Sequence, residues 1–213
     1  MPFKSFLGAM ALAAGTGLAL IPGLAAAETP AATAPAQAVE VKDMVLGNAE
    51  APVTFVEYAS YTCPHCRNWH TNVFKELKRD YIDTGKIKFV YREVYFDRPG
   101  LWAAMVARCG GDMRYFGIQD MIYTDHQDWL GGTDPVQMVE GLRKIGLKAG
   151  LTNEQLDVCL KDGAMAQAMV TKFETDSKAD NIDSTPSFII DGKKYGNMAY
   201  PELKKILDEK LPK

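Results

Sequence analysis

The chain has 213 residues, 47% apolar and 24% charged, enough to bury one globular core and too apolar for a disordered or low-complexity polymer. Lys+Arg 24 against Asp+Glu 27 leaves a formal net charge of −3, so no basic field exists to hold a nucleic-acid backbone or an anionic membrane surface. Four cysteines are too few for a disulfide scaffold, and their spacing and compartment decide what they do.

Lys4, the apolar run from Phe6 to Ile21 and the small residues Ala25-Ala26-Ala27 predict a secretory signal peptide over residues 1–27. The run is interrupted by Gly8, Gly15 and Gly17 and falls short of the roughly 20 apolar residues that a spanning helix needs. A leader of this form reads as bacterial, so the mature chain is expected in the periplasm, where disulfides persist. Residues 28–41, rich in Ala, Pro and Thr with no periodic apolar face, predict a flexible tether ahead of a folded domain at 42–213.

Val53 to Ala59 (VTFVEYA) is β-branched and aromatic and predicts a buried strand. Pro64 then opens a helix, with Trp69, Val73, Phe74, Leu77 and Tyr81 at three- and four-residue steps until Thr84-Gly85 stops it. Ile87 to Phe96 predicts a second strand, completing a β-α-β unit with parallel pairing. From Leu101 to about Lys178 only helical periodicity remains, punctuated at Gly110-Gly111, Gly131-Gly132 and Gly146 to Gly150, with start signals at Thr133-Asp134-Pro135 and Thr152-Asn153-Glu154. This block, about 99–180, reads as an insertion. A strand at Ser187 to Asp191, a turn at Gly192, a short strand at Lys194 to Gly196 and an amphipathic helix from Tyr200 to Leu211 follow. The plan is α/β with an inserted α-helical subdomain.

Cys63-Pro64-His65-Cys66 falls where the first strand meets the first helix. Cys63 occupies the N-cap region, where unpaired N–H groups and the positive end of the helix dipole favour a thiolate. Pro64 removes an N–H that would be orphaned there, and Cys66, one turn on, can close a small disulfide ring with Cys63. His65 adds a donor and, when protonated, a positive charge. A pair whose reduced form is stabilised in this way gives up its disulfide readily and is a strong oxidant. Zinc would need a second ligand pair, and a c-type haem would need histidine where Arg67 stands, so no metal and no cofactor are expected. Cys109 and Cys159 lack the Pro and His context. In an oxidising compartment they are expected to form a structural disulfide worth about 4 kcal/mol by chain entropy, the alternative being two buried free thiols. His70 is expected to be a surface or satisfied residue, and His126, beside Asp125 and Asp128, to lie in a polar loop rather than on a metal. Trp102, Trp129, Met105, Tyr115, Phe116, Met121 and Ile122 read mostly as core, some of them able to line a substrate groove.

The CPHC motif after a buried strand, the helical insertion and Thr185-Pro186 just before Ser187-Phe188-Ile189-Ile190 resemble the DsbA-type thiol:disulfide oxidoreductases of the thioredoxin-fold superfamily. The resemblance covers about residues 42–211, including Gly47 to Val53 and Phe116 to Trp129. It implies a thioredoxin fold with an inserted helical subdomain, with Pro186 in the cis form beside the redox-active Cys63-Cys66 disulfide. Thr185 would then turn its backbone towards Cys63, and Glu57 would be the buried acid under Cys66 that moves a proton during exchange. It also implies an enzyme that introduces disulfides into reduced or unfolded exported proteins, is reoxidised by a quinone-linked membrane partner, and works as a monomer on protein, not nucleic acid. Threonine before the proline keeps a disulfide isomerase or reductase as the alternative, although the few residues after the leader are too short for the isomerase branch's dimerisation domain. A chaperone or binding module that retains the pair as a structural disulfide is the reading from a different class.

Overall fold

A computed structural model of the protein describes residues 39–212; the leader and most of the tether lie outside them. Five strands form one mixed sheet in the order β1-β3-β2-β4-β5: β1 (Met44–Gly47), β2 (Val53–Ala59), β3 (Ile87–Glu93), β4 (Ser187–Ile190) and β5 (Lys193–Tyr195). β2 and β3 pair in parallel, with Phe55 opposite Phe89, and the other pairings are antiparallel. The two central strands are buried along almost their whole length, which is why they read as apolar runs without alternation.

The sheet separates two cores. Val53, Phe55, Ala59, Phe89, Tyr91 and Phe188 face the larger one, against Trp69, Phe74 and Leu77 of the first helix and Leu203 and Leu207 of the last. Val56, Tyr58, Val90 and Ile189 face the smaller one, closed by Phe173 and Ile182. The first helix, α1, runs over 64–82, with π turns at His70–Phe74 and Lys78–Ile82. α2 (Arg98–Cys109), α3 (Gly111–Thr124), α4 (His126–Leu130), α5 (Pro135–Lys148), α6 (Asn153–Lys161) and α7 (Gly163–Ala179) form the helical block, and α8 (Tyr200–Lys210) closes the chain. α7 carries Phe173 to the smaller core, where Arg92 of β3 pairs with Asp43, Asp176 and Asp180 and Lys172 joins them. Cys109, the last residue of α2, is disulfide-bonded to Cys159 of α6.

Beyond one-residue shifts at the ends of β4, β5 and α8, three features differ from the sequence expectation. β1 was not foreseen: only Met44 of its four residues is buried, so no apolar pattern marks it, and pairing with β3 creates it. β3 stops at Glu93 rather than Phe96 because Asp97 caps α2, its Oδ1 accepting the Gly100 N–H at 2.8 Å, and Pro99 sits in the first turn. Gly146 does not end α5. A Cβ there would stand 2.7 Å from Leu156 Cδ2, so the glycine lets α5 and α6 approach, and the left-handed residue past the helix end is Gly150, at φ +82°.

Gly47 ends β1 at φ +91°, and a Cβ would lie 2.9 Å from the Ile87 carbonyl oxygen. Gly47→Ala is expected to cost about 1–3 kcal/mol, read as a lower denaturant midpoint. An unchanged midpoint would show that β1 adjusts without strain.

Candidate active site

β2 delivers the chain through Ser60, Tyr61 and Thr62 to Cys63, which is the N-cap of α1 with extended backbone, φ −80° and ψ 119°. No side chain caps this end, so the first-turn N–H groups are free to face sulfur. Cys63 is part-exposed and Cys66 is fully buried, and both are free thiols. The Cys66 thiol donates to the Cys63 sulfur, which outweighs the opposing effect of partial burial. The Thr185 side chain and the backbone N–H groups of Cys66 and His65 add to it, and together they hold Cys63 down to about 5. Burial pushes Cys66 far up, and the ionised neighbour pushes it further. The arrangement therefore separates one accessible thiolate from one inaccessible thiol.

Thr185 precedes Pro186 through a cis peptide bond, and its carbonyl oxygen lies 3.6 Å from Cys63 Sγ, placed to accept from it whenever that sulfur is protonated. Pro64 occupies the first turn, and His65 is exposed; its contact with the sulfur is through its backbone N–H. Glu57 is 2% exposed on the face of β2 that carries Phe55 and Ala59, and burial pushes its carboxyl well above the usual range. Tyr123 feels the charge of both Cys66 and Glu57, so these groups lie near one another beneath the motif.

A buried tyrosine network supports this floor. The Tyr91 and Tyr123 hydroxyls are 2.6 Å apart, and Tyr123 donates to the Ser60 carbonyl at 3.2 Å. Tyr61 donates to the Tyr115 hydroxyl at 3.1 Å, and Tyr115 donates to Glu93 Oε1 at 2.7 Å. Glu93 receives Arg108 through two further bonds of 2.8 and 2.6 Å. None of these partners was singled out as a site residue in sequence; of these tyrosines only Tyr115 was named, as core able to line a groove.

Along the first turns of α1, a groove of about 380 Å³ is lined by His65, Asn68, Trp69, Asn72, Met198 and neighbouring residues. The insertion's aromatics are not part of it. Trp129, Met105, Tyr115 and Ile122 are buried, and Trp102, Phe116 and Met121 pack against the larger core. His70 is buried, stacked between Phe74 and Tyr123, and bonded through Nε2 to Asp120 at 3.0 Å. His126 differs from the loop expectation. It opens α4, 5% exposed, and burial together with the Arg67 charge lowers its pKa. The polar pattern of Asp125 and Asp128 masked a short helix whose Trp129 anchors it in the core.

The paired thiols set a pH signature. Cys63 titrates near about 5 when folded, whereas an unfolded cysteine titrates near about 8.5, so the reduced protein gains stability as pH rises between these values and loses it as pH falls through 5. Above about pH 8.5 Cys66 acts in the opposite sense, because only the unfolded chain ionises it readily. The disulfide form lacks both titrations. Denaturant midpoints of the two forms from about pH 4 to 9 are expected to diverge as the pH rises from the acid end; parallel profiles would contradict the low Cys63 value.

Comparison with known proteins agrees with this geometry. A family profile described as thioredoxin matches residues 39–209. A Rickettsia bellii protein, named provisionally as a protein-disulfide oxidoreductase, is 34% identical over 81% of this chain and 66% of its own length. Disulfide bond formation protein D of Bacillus subtilis is 28% identical over 78% of this chain and 76% of its own. The crystal structure of Wolbachia pipientis alpha-DsbA1 superposes with a TM-score of 0.74 at 26% identity, covering 81% of this chain and 92% of that one. The chain spans slightly under two thirds of the length of the rickettsial relatives it matches.

Proposed function

The chain belongs to the thioredoxin family, and on that footing we propose that it is a DsbA-like protein-disulfide oxidoreductase that introduces disulfides into exported proteins through Cys63 and Cys66. The observation that carries this is the asymmetry of the pair: one part-exposed sulfur held ionised, one fully buried sulfur held protonated. In the oxidised enzyme only Cys63 can be reached. A substrate thiolate attacks its sulfur, the Cys63–Cys66 bond breaks, and Cys66 leaves and takes up a proton for which Glu57 is the buried source. A second substrate thiolate then attacks the substrate sulfur of the mixed disulfide. The substrate leaves oxidised, the two electrons remain on Cys63 and Cys66, and Cys63 departs as the stabilised thiolate.

The cis Thr185–Pro186 segment supports the same chemistry. It brings a backbone carbonyl to the Cys63 sulfur, where an extended substrate can lie alongside. Among the described residues no helix is long and apolar enough to cross a membrane, so the quinone-linked reoxidant expected from the resemblance would be a separate protein. The chain acts in the periplasm as a monomer, on reduced or unfolded polypeptides, with no cofactor of its own. Thr185 before the proline favours, as a second reading, an isomerase or reductase that works from the reduced state.

The redox equilibrium of Cys63–Cys66 against glutathione separates the two readings. The oxidase reading expects a potential nearer about −120 mV than about −270 mV. A value at the reducing end would replace it with the reductase.

A further inference from the structure

The loop that carries Cys63 is tied to the opposite strand end by one carboxylate. Asp97 lies between β3 and α2, and its two oxygens do different work. Oδ1 accepts the Gly100 N–H at 2.8 Å and caps α2, while Oδ2 accepts the Thr62 hydroxyl at 2.8 Å. Thr62 Oγ1 is 3.1 Å from Ser60 Oγ, which in turn accepts the Thr62 N–H at 3.3 Å. The Ser60 carbonyl accepts the Cys63 N–H at 3.2 Å. Ser60 is fully buried, and a Cβ on Gly100 would stand 3.2 Å from Asp97 Oδ1 and 3.4 Å from Ser60 Oγ, so the cluster closes over a position where only glycine fits without displacement. The residue immediately before Cys63 is thereby bonded on both sides, to β2 through Ser60 and to the α2 N-terminus through Asp97.

The first-turn N–H groups of α1 can hold the Cys63 sulfur only while the Cys63 backbone keeps its extended N-cap conformation. We propose that Asp97 is a positioning residue for the reactive sulfur: by holding the Thr62 hydroxyl it fixes the Thr62–Cys63 backbone, and with it the place of Cys63 Sγ over the first turn of α1. This rests on the reading of Cys63 as the sulfur that the substrate attacks and that departs as the stabilised thiolate. Asp97 touches neither the sulfur nor a substrate; its action passes through Thr62. Its charge alone would act in the opposite direction, because a carboxylate close to Cys63 disfavours the thiolate.

That opposition of sign makes the test decisive. The probe is the ultraviolet absorbance of the thiolate in the reduced full-length protein, titrated for the unaltered chain and for Thr62→Val, Asp97→Ala and Asp97→Asn. Thr62→Val keeps shape, the Asp97 charge and the α2 cap, and removes only the hydroxyl. It and Asp97→Ala are expected to raise the Cys63 midpoint by about 0.5–1 pH unit. Asp97→Asn keeps the Gly100 bond, can donate to Thr62 Oγ1 and loses the charge, and is expected to stay at or slightly below the unaltered value. A midpoint unmoved by Thr62→Val, or lowered by both Asp97 variants, overturns the proposal. If loss of the cap prevents Asp97→Ala from folding, Thr62→Val decides alone. An ordinary thiol midpoint in the unaltered protein is a separate result that sinks the reading of Cys63 as a stabilised thiolate.

Discussion

Cys63→Ala is expected to reduce the rate of disulfide transfer to a reduced, unfolded polypeptide to that of the uncatalysed mixture. The remaining thiol cannot substitute. Cys66 has no exposed surface, and its burial raises its pKa far enough to leave almost no thiolate at neutral pH. Cys66→Ala is expected to behave differently. It loses the ring but keeps the backbone N–H groups and Thr185 around Cys63, and so keeps a sulfur that a substrate can join. A Cys66→Ala protein charged at Cys63 with a small disulfide should therefore trap a mixed disulfide with substrate, seen as a mass adduct that reductant removes. Its Cys63 pKa should also rise, because the first contributor to the lowered value is the Cys66 thiol itself. Full transfer by Cys63→Ala would remove redox chemistry from this site and leave the binding-module reading.

The second large effect concerns stability. Glu93 is buried with its side chain 4% exposed, and Arg108 forms two bonds to it at 12% exposure. Arg108→Met leaves that carboxylate buried with only Tyr115 as donor, and is expected to cost about 3–5 kcal/mol, read as a fall in the denaturant midpoint. Adding Glu93→Leu removes the stranded charge, so the double variant should recover most of the loss, less what the Tyr115 hydroxyl forfeits. A cost under about 1 kcal/mol for Arg108→Met alone would place the pair with exposed ion pairs. Tyr61, bonded to Tyr115, packs its ring against Tyr123, which donates to the Ser60 carbonyl, so loss of the pair should also loosen the floor of the motif.

The elements with a strong local signal were legible in sequence. β2 matches its expected bounds because six of its seven residues, all but Glu57, are β-branched, aromatic or small and the strand is buried on both faces. Capped helix starts at Asp134 and Thr152 also stand where their start signals put them. What was not legible depends on contacts distant in sequence. β1 exists through β3, and His126 is buried because Trp129 folds a short helix into the core. Asp97 with Pro99 is itself an N-cap signal that would have started α2 at Arg98; the apolar run through Phe96 obscured it by extending the strand pattern. At the site, the Cys63-Pro64-His65-Cys66 motif announces its own chemistry through spacing and position. The groups that hold it do not: Thr62 and Asp97 are 35 residues apart, and only the fold shows that they meet.

The central claim is that this fold holds Cys63 as a thiolate and Cys66 as a thiol. The most direct measurement is the pH dependence of alkylation of the reduced protein, with the modified cysteine identified by mass. The account predicts that Cys63 alone reacts, with a midpoint near about 5, while Cys66 stays unmodified through neutral pH. Reaction of both cysteines with a common midpoint near about 8.5, the value of an unperturbed thiol, would contradict it.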